Sequence, residues 1–166
     1  MPYTVVSKRD GYELRHYEPA ILVQVTVTGS PQSAGSVGFG SLVRYISGDN
    51  QPGRKMAMTS PVLQESTHAS SHIVSFVLPA NVSVDDIPKP RDARVSTVAV
   101  PARDMAARTY IGRWTQAKFE ANAADLVAAL ARDGMTTTGM PSWARYDPPW
   151  TPPFLRRNEV LVELVT

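Results

Sequence analysis

Residues 36–47 read SVGFGSLVRYIS, and their period differs from everything before them. Phe39, Leu42, Val43 and Ile46 fall at i, i+3, i+4 and i+7, which is one face of a helix. Gly48, Asp49 and Asn50 stop it. Upstream the period is two. Residues 12–17 (YELRHY) read as a strand, Glu18 and Pro19 break it, and 20–28 (AILVQVTVT) resume with β-branched alternation until Gly29, Ser30 and Pro31. Downstream, 54–64 and 72–78 read as two more strands, and 81–92 as a connecting loop around Ile87, Pro88, Lys89 and Pro90.

The same order then recurs. Residues 93–100 and 105–111 are strand-like. Residues 116–132 form a helix with Phe119, Ala123, Leu126, Val127 and Leu130 on one face and Gly134 placed to cap its C-terminus. Residues 143–146 and 159–165 read as strands. Each half is therefore strand, strand, helix, strand, strand. This predicts one domain over 1–166 built from duplicated halves of roughly 1–80 and 91–166. The expected class is α+β, with the two halves joining into a curved antiparallel sheet or β-barrel flanked by two helices.

Composition narrows the function classes. The hydrophobic fraction of 43% supports a real core. Net charge is only +2, and the closest thing to a basic cluster is Arg156-Arg157, too little for a nucleic-acid face. Cysteine is absent, which removes disulfides, thiolate nucleophiles and Cys metal ligands. No apolar run is long enough to span a membrane, and MPYTVVSKRDGYEL lacks a secretion-type apolar region, so a cytoplasmic protein is expected. No P-loop, dinucleotide fingerprint or G-x-S-x-G elbow is present, and no pair of acids stands out as a catalytic couple, so an enzyme is not expected.

Five stretches, YELRHY (12–17), GFGSLVRYISGDN (38–50), KMAMTSPV (55–62), YDPPWTPP (146–153) and RRNEVLVEL (156–164), together resemble the SOUL heme-binding protein family. They occur in the family's order and cover the chain nearly end to end. The resemblance implies a distorted antiparallel β-barrel with two helices and a pseudo-two-fold axis. It also implies non-covalent binding of heme or another tetrapyrrole, with a role in carriage or buffering. A monomer without nucleic-acid partners is expected. The runner-up is a small-molecule sensor or interaction module, since the duplicated half is similar to effector-binding domains of multidrug-responsive regulators.

The family's heme site lies between the first helix and the loop that reads YDPP here. Gly38 and Gly40 destabilise a helix by about 0.5–1 kcal/mol each, so something must approach its backbone closely, either the underlying sheet or a flat ligand. Phe39, Leu42 and Val43 are candidates for an apolar platform, with at least one of them turned to the core. Arg44 is a candidate partner for a propionate, or else a solvated helix charge. Tyr146 and Trp150 stand in a proline-locked loop, as a pre-formed wall for a porphyrin or as packing that closes the barrel end. Arg156 and Arg157 read more simply as partners of Asp147 or Glu159. His16 matches the position of a histidine proposed as an axial iron ligand in some members, and the alternation puts it on the face of Tyr12 and Leu14. His68 and His72 lie in a Ser-rich turn with no third ligand, so no metal other than heme iron is expected. Met56 and Met58 read as core fillers on one strand face.

Overall fold

A computed structural model describes residues 1–68, 70–148 and 150–165. In chain order the elements are β1 (Tyr3–Arg9), β2 (Tyr12–Tyr17), β3 (Ala20–Thr28), α1 (Pro31–Ile46), β4 (Asn50–Gln51), β5 (Val62–His68), β6 (Ser71–Val77), β7 (Lys89–Pro90), β8 (Val95–Val100), β9 (Arg103–Ile111), α2 (Gln116–Arg132), β10 (Thr137–Arg145) and β11 (Arg157–Leu164). The class is α+β with antiparallel sheets and two long helices, as expected. No helix among the described residues is long and apolar enough to cross a membrane.

The chain divides into two compact units, Met1 with Pro19–Pro101, and Pro2–Glu18 with Ala102–Thr166. In the first, four antiparallel strands run in the order β5-β6-β3-β8, and α1 packs on β3 and β6. Its core joins Val23 and Val25 of β3, Val74 and Phe76 of β6, and Leu42 and Tyr45 of α1. In the second, the order is β1-β2-β9-β11-β10, and α2 packs on β9 and β11. Its core joins Tyr12, Ala106, Val160 and Val162 with Leu126 and Leu130 of α2. Phe119 of α2 stacks on Trp143 at 5.4 Å, and the Arg145 guanidinium lies 4.1 Å from the far ring of that pair.

The two units share one plan. A strand-helix-strand-strand run, β3-α1-β5-β6 or β9-α2-β10-β11, supplies three strands in the same spatial order. The fourth strand comes from elsewhere in the chain: β8 beside β3, and β2 beside β9. The duplication read from the pattern is present, but the first strand of each repeat lies in the other repeat's sheet. A boundary between 80 and 91 therefore does not separate the units. Alternation marks a segment as a strand and is silent about its partner.

Three local expectations are corrected. First, α1 begins at Pro31 and not at 36, because the Ser30 side chain accepts from the Ser33 N–H at 3.2 Å and Pro31 occupies the first turn. Second, 54–64 is mostly loop. Asn50, fully buried, holds it by donating to the carbonyls of Tyr45 and Arg54 and accepting from the N–H groups of Gly53 and Arg54. Met56 still packs against the core, but Met58 is exposed, so the two do not share a buried strand face. Third, β1 did not show in the pattern. It is an edge strand paired only with β2 among the described residues, and its side chains are largely solvated.

Candidate functional site

The helix residues expected to meet a ligand separate by depth. Leu42 is wholly buried in the first unit's core. Phe39 and Val43 are half-buried and pack on the same core, with Phe39 edge-on to Phe76 at 5.4 Å. Gly38 explains itself without a ligand, since a Cβ there would lie 2.7 Å from Val74. The sheet is what approaches it. Gly40 is different. It is exposed, and a Cβ added there would meet nothing within 4 Å. Val37, Gly40 and Arg44, at i, i+3 and i+7, form one solvent-facing stripe, with Val37 55% exposed.

Arg44 ends that stripe as a loosely held cation. Its guanidinium reaches Asp92 only at 3.5 Å. Arg94 holds Asp92 far more closely, through Nη2 at 2.7 Å and through Nε and the backbone N–H at 3.0 Å each. Hydrogen bonds from Arg94 depress the Asp92 pKa to about 2, and Arg44 adds only a lesser attraction. An exposed, distant ion pair contributes little. The other side-chain contact of Arg44, to Ser41 Oγ, is equally long at 3.5 Å.

In the second unit the sheet has two faces. One carries Tyr12, Leu14 and His16 of β2 with Ala106, Val160 and Trp143, under α2. The other carries a buried polar network. Arg15 is 2% exposed and grips Glu159, itself fully buried, in a bidentate pair at 2.8 and 2.9 Å. Glu159 also accepts from Arg157 at 2.6 Å, Tyr146 Oη at 2.7 Å and Thr109 at 3.0 Å. Tyr17 accepts from Arg15 at 3.1 Å, and Tyr3 places its ring 4.2 Å from the Arg15 guanidinium. Burial pushes the Glu159 carboxyl up. The hydrogen bonds from Arg15, Arg157 and Tyr146, with the attraction of Arg15, more than reverse this and hold it at about 2.

Tyr146 therefore belongs to this network, with its ring 4.4 Å from the Arg157 guanidinium. Burial and then Glu159 push its phenol well above the ordinary value. Trp150 is 82% exposed, and Pro149 beside it lies outside the described residues. His16 bonds Asp104 through Nδ1 at 2.6 Å, and both side chains are part-exposed. His16 and Tyr146 lie on opposite faces of one sheet, so a ligand stacked on Tyr146 is not one that His16 ligates. His72 is a satisfied core histidine, bonded to Ser66 Oγ at 3.0 Å and the Gly29 carbonyl at 3.1 Å. Among the described residues no cluster of three or more His, Cys, Asp or Glu could hold a metal ion.

The sequence reading passed over Arg15, Tyr17 and Val37. Alternation alone put Arg15 on the face of Glu13 and Tyr17, opposite His16, so that face was legible, though not its burial. The role of Glu159 as an arginine partner was read correctly for Arg157.

The site and fold have relatives. Residues 1–163 match the family described as SOUL heme-binding protein. Heme-binding protein 1 of Xenopus tropicalis is 30% identical over 94% of this chain and 87% of its own length. Heme-binding protein 1 of Xenopus laevis is 29% identical over the same shares. Among solved structures, the EcmrR C-terminal domain aligns over 100% of this chain and 99% of its own, with a TM-score of 0.68 at 12% identity, a likeness of fold. The chain belongs to the SOUL heme-binding protein family.

Proposed function

We propose that this chain reversibly binds heme or another tetrapyrrole, non-covalently, for carriage or buffering. The porphyrin seats on the solvent-facing stripe of α1. The observation that carries this reading is Gly40, an exposed helical glycine with open space above it, set between Val37 and the loosely held Arg44. The missing side chain lets a flat ring approach the helix backbone, and Arg44 donates to a propionate. Family membership supports the choice of ligand class. Phe39 and Val43 support the stripe from its flanks. Tyr146 and Trp150 remain candidates to be tested by substitution.

A porphyrin covered by protein removes roughly 300–400 Å² of apolar surface from water, or about 8–10 kcal/mol before association costs. Without an iron bond this gives affinity suited to release. The sensor reading has weaker support, because the likeness to the EcmrR C-terminal domain, at 12% identity, is one of fold alone. No turnover is proposed.

The test is a hemin titration followed at the Soret band. The wild type is expected to saturate at one equivalent. Arg44→Ala should weaken binding by about three- to tenfold, as loss of one solvent-exposed hydrogen bond predicts. His16→Ala and His68→Ala should leave it unchanged. Tyr146→Ala and Trp150→Ala report on the second unit's candidates. Unchanged affinity in Arg44→Ala and in Gly40→Leu together removes this site.

A further inference from the structure

Apolar side chains left in water usually mark a contact, and in the second unit they cluster at one end. Phe154 is 74% exposed, Leu155 60% and Ile111 63%. They are neighbours, because the Gly112 N–H donates to the Arg156 carbonyl at 3.0 Å and Ile111 pairs with Arg157. Gly112, Arg113, Lys118, Pro153 and Phe154 line a cleft of about 360 Å³ there. Among the described residues Arg113 and Lys118 have no acidic partner; Arg9, Lys55, Lys89, Arg91 and Arg132 share that, but none of them lines this cleft. The same cleft faces the start of α2, whose first turn holds no acid. Its free N–H groups add positive potential to that of the two side chains.

We propose that this end of the second unit docks on an anionic lipid bilayer. Phe154, Leu155 and Ile111 enter the interface, and the cleft between Arg113 and Lys118 takes a lipid phosphate. Charge complementarity selects this occupant. An apolar tip rimmed by unpaired cations fits a negatively charged surface with hydrocarbon beneath it, and aromatic side chains favour that interface. Docking requires no membrane-spanning helix. It does not rest on the tetrapyrrole reading.

The experiment is vesicle flotation with the full chain, comparing phosphatidylcholine vesicles with vesicles doped with phosphatidylserine. Binding is expected only to the doped vesicles. The pair Arg113→Gln/Lys118→Gln should lose about 30-fold in partitioning, roughly fivefold for each cation. The pair Phe154→Ser/Leu155→Ser should abolish binding. All four side chains are solvent-facing or at a surface cleft, and an unchanged melting temperature verifies folding. Trp150 is left intact in every variant, so hemin titrations of the same proteins should be unaltered. No binding to doped vesicles, binding equal in wild type and both variants, or self-association through this end in place of vesicle binding would overturn the proposal.

Discussion

Glu159 sets the chemistry of the second unit at the scale of a single residue. It is fully buried and accepts bonds from two arginines, a tyrosine and a threonine. Its pKa stands near 2, against an ordinary 4.5, so folding is favoured by the ionised form. The contribution is whole above about pH 4.5 and fades as pH falls toward 2. It amounts to something on the order of 3 kcal/mol. The melting temperature is therefore expected to drop steeply between those pH values. Glu159→Gln should flatten that segment of the curve while costing stability at neutral pH, because Arg15 is left buried without its counter-charge. Equal slopes in wild type and variant, recorded by thermal melts across acid pH, would dissociate the network from acid stability. This network was only partly legible in the sequence. YELRHY and RRNEV place charges inside strands, and a charged residue in a strand reads as solvated until its partner strand is known.

Two glycines separate packing from binding at the scale of an element. Both sit on α1, and in the sequence they are equivalent. In the fold Gly38 faces Val74 at a distance no side chain tolerates, whereas Gly40 faces open space. Gly38→Ala should destabilise by about 1–3 kcal/mol through overpacking. Gly40→Ala should stabilise by about 0.5–1 kcal/mol through helix propensity, and should weaken tetrapyrrole binding. Melting curves and hemin titrations of the two variants check this. A stabilised Gly40→Ala that binds hemin as well as the wild type would take the glycine out of the site. The bounds of helix α2 were legible, because its apolar period and the Gly134 stop coincide, but Val127, read onto the apolar face, is 42% exposed, and the Thr115 cap was passed over. Helix α1 was legible in its middle and not at its start. The serine-rich residues 30–36 carry no apolar period, and only the Ser30 cap with Pro31 in the first turn marks the beginning.

The exchanged strand is the feature that belongs to the whole molecule. Local pattern revealed that the chain repeats, because periods of two and 3.6 alternate in the same order twice. It could not reveal that β2 serves β9 and β8 serves β3, since pairing is a long-range choice. Cutting the chain at the repeat boundary, near residue 85, should therefore leave the N-terminal fragment without β8 and the C-terminal fragment without β1 and β2, neither with a cooperative melt. Mixed fragments should regain the spectrum of the intact chain. Independent folding of either fragment, seen by circular dichroism, would contradict the exchange. The site claim meets its most direct test in amide chemical-shift mapping with iron-free protoporphyrin, whose ring current marks the backbone it covers. The account predicts that the largest shifts fall at Val37, Gly40 and Arg44 and vanish in Gly40→Leu. Saturable binding with shifts confined to other residues, or no binding at all, would contradict it.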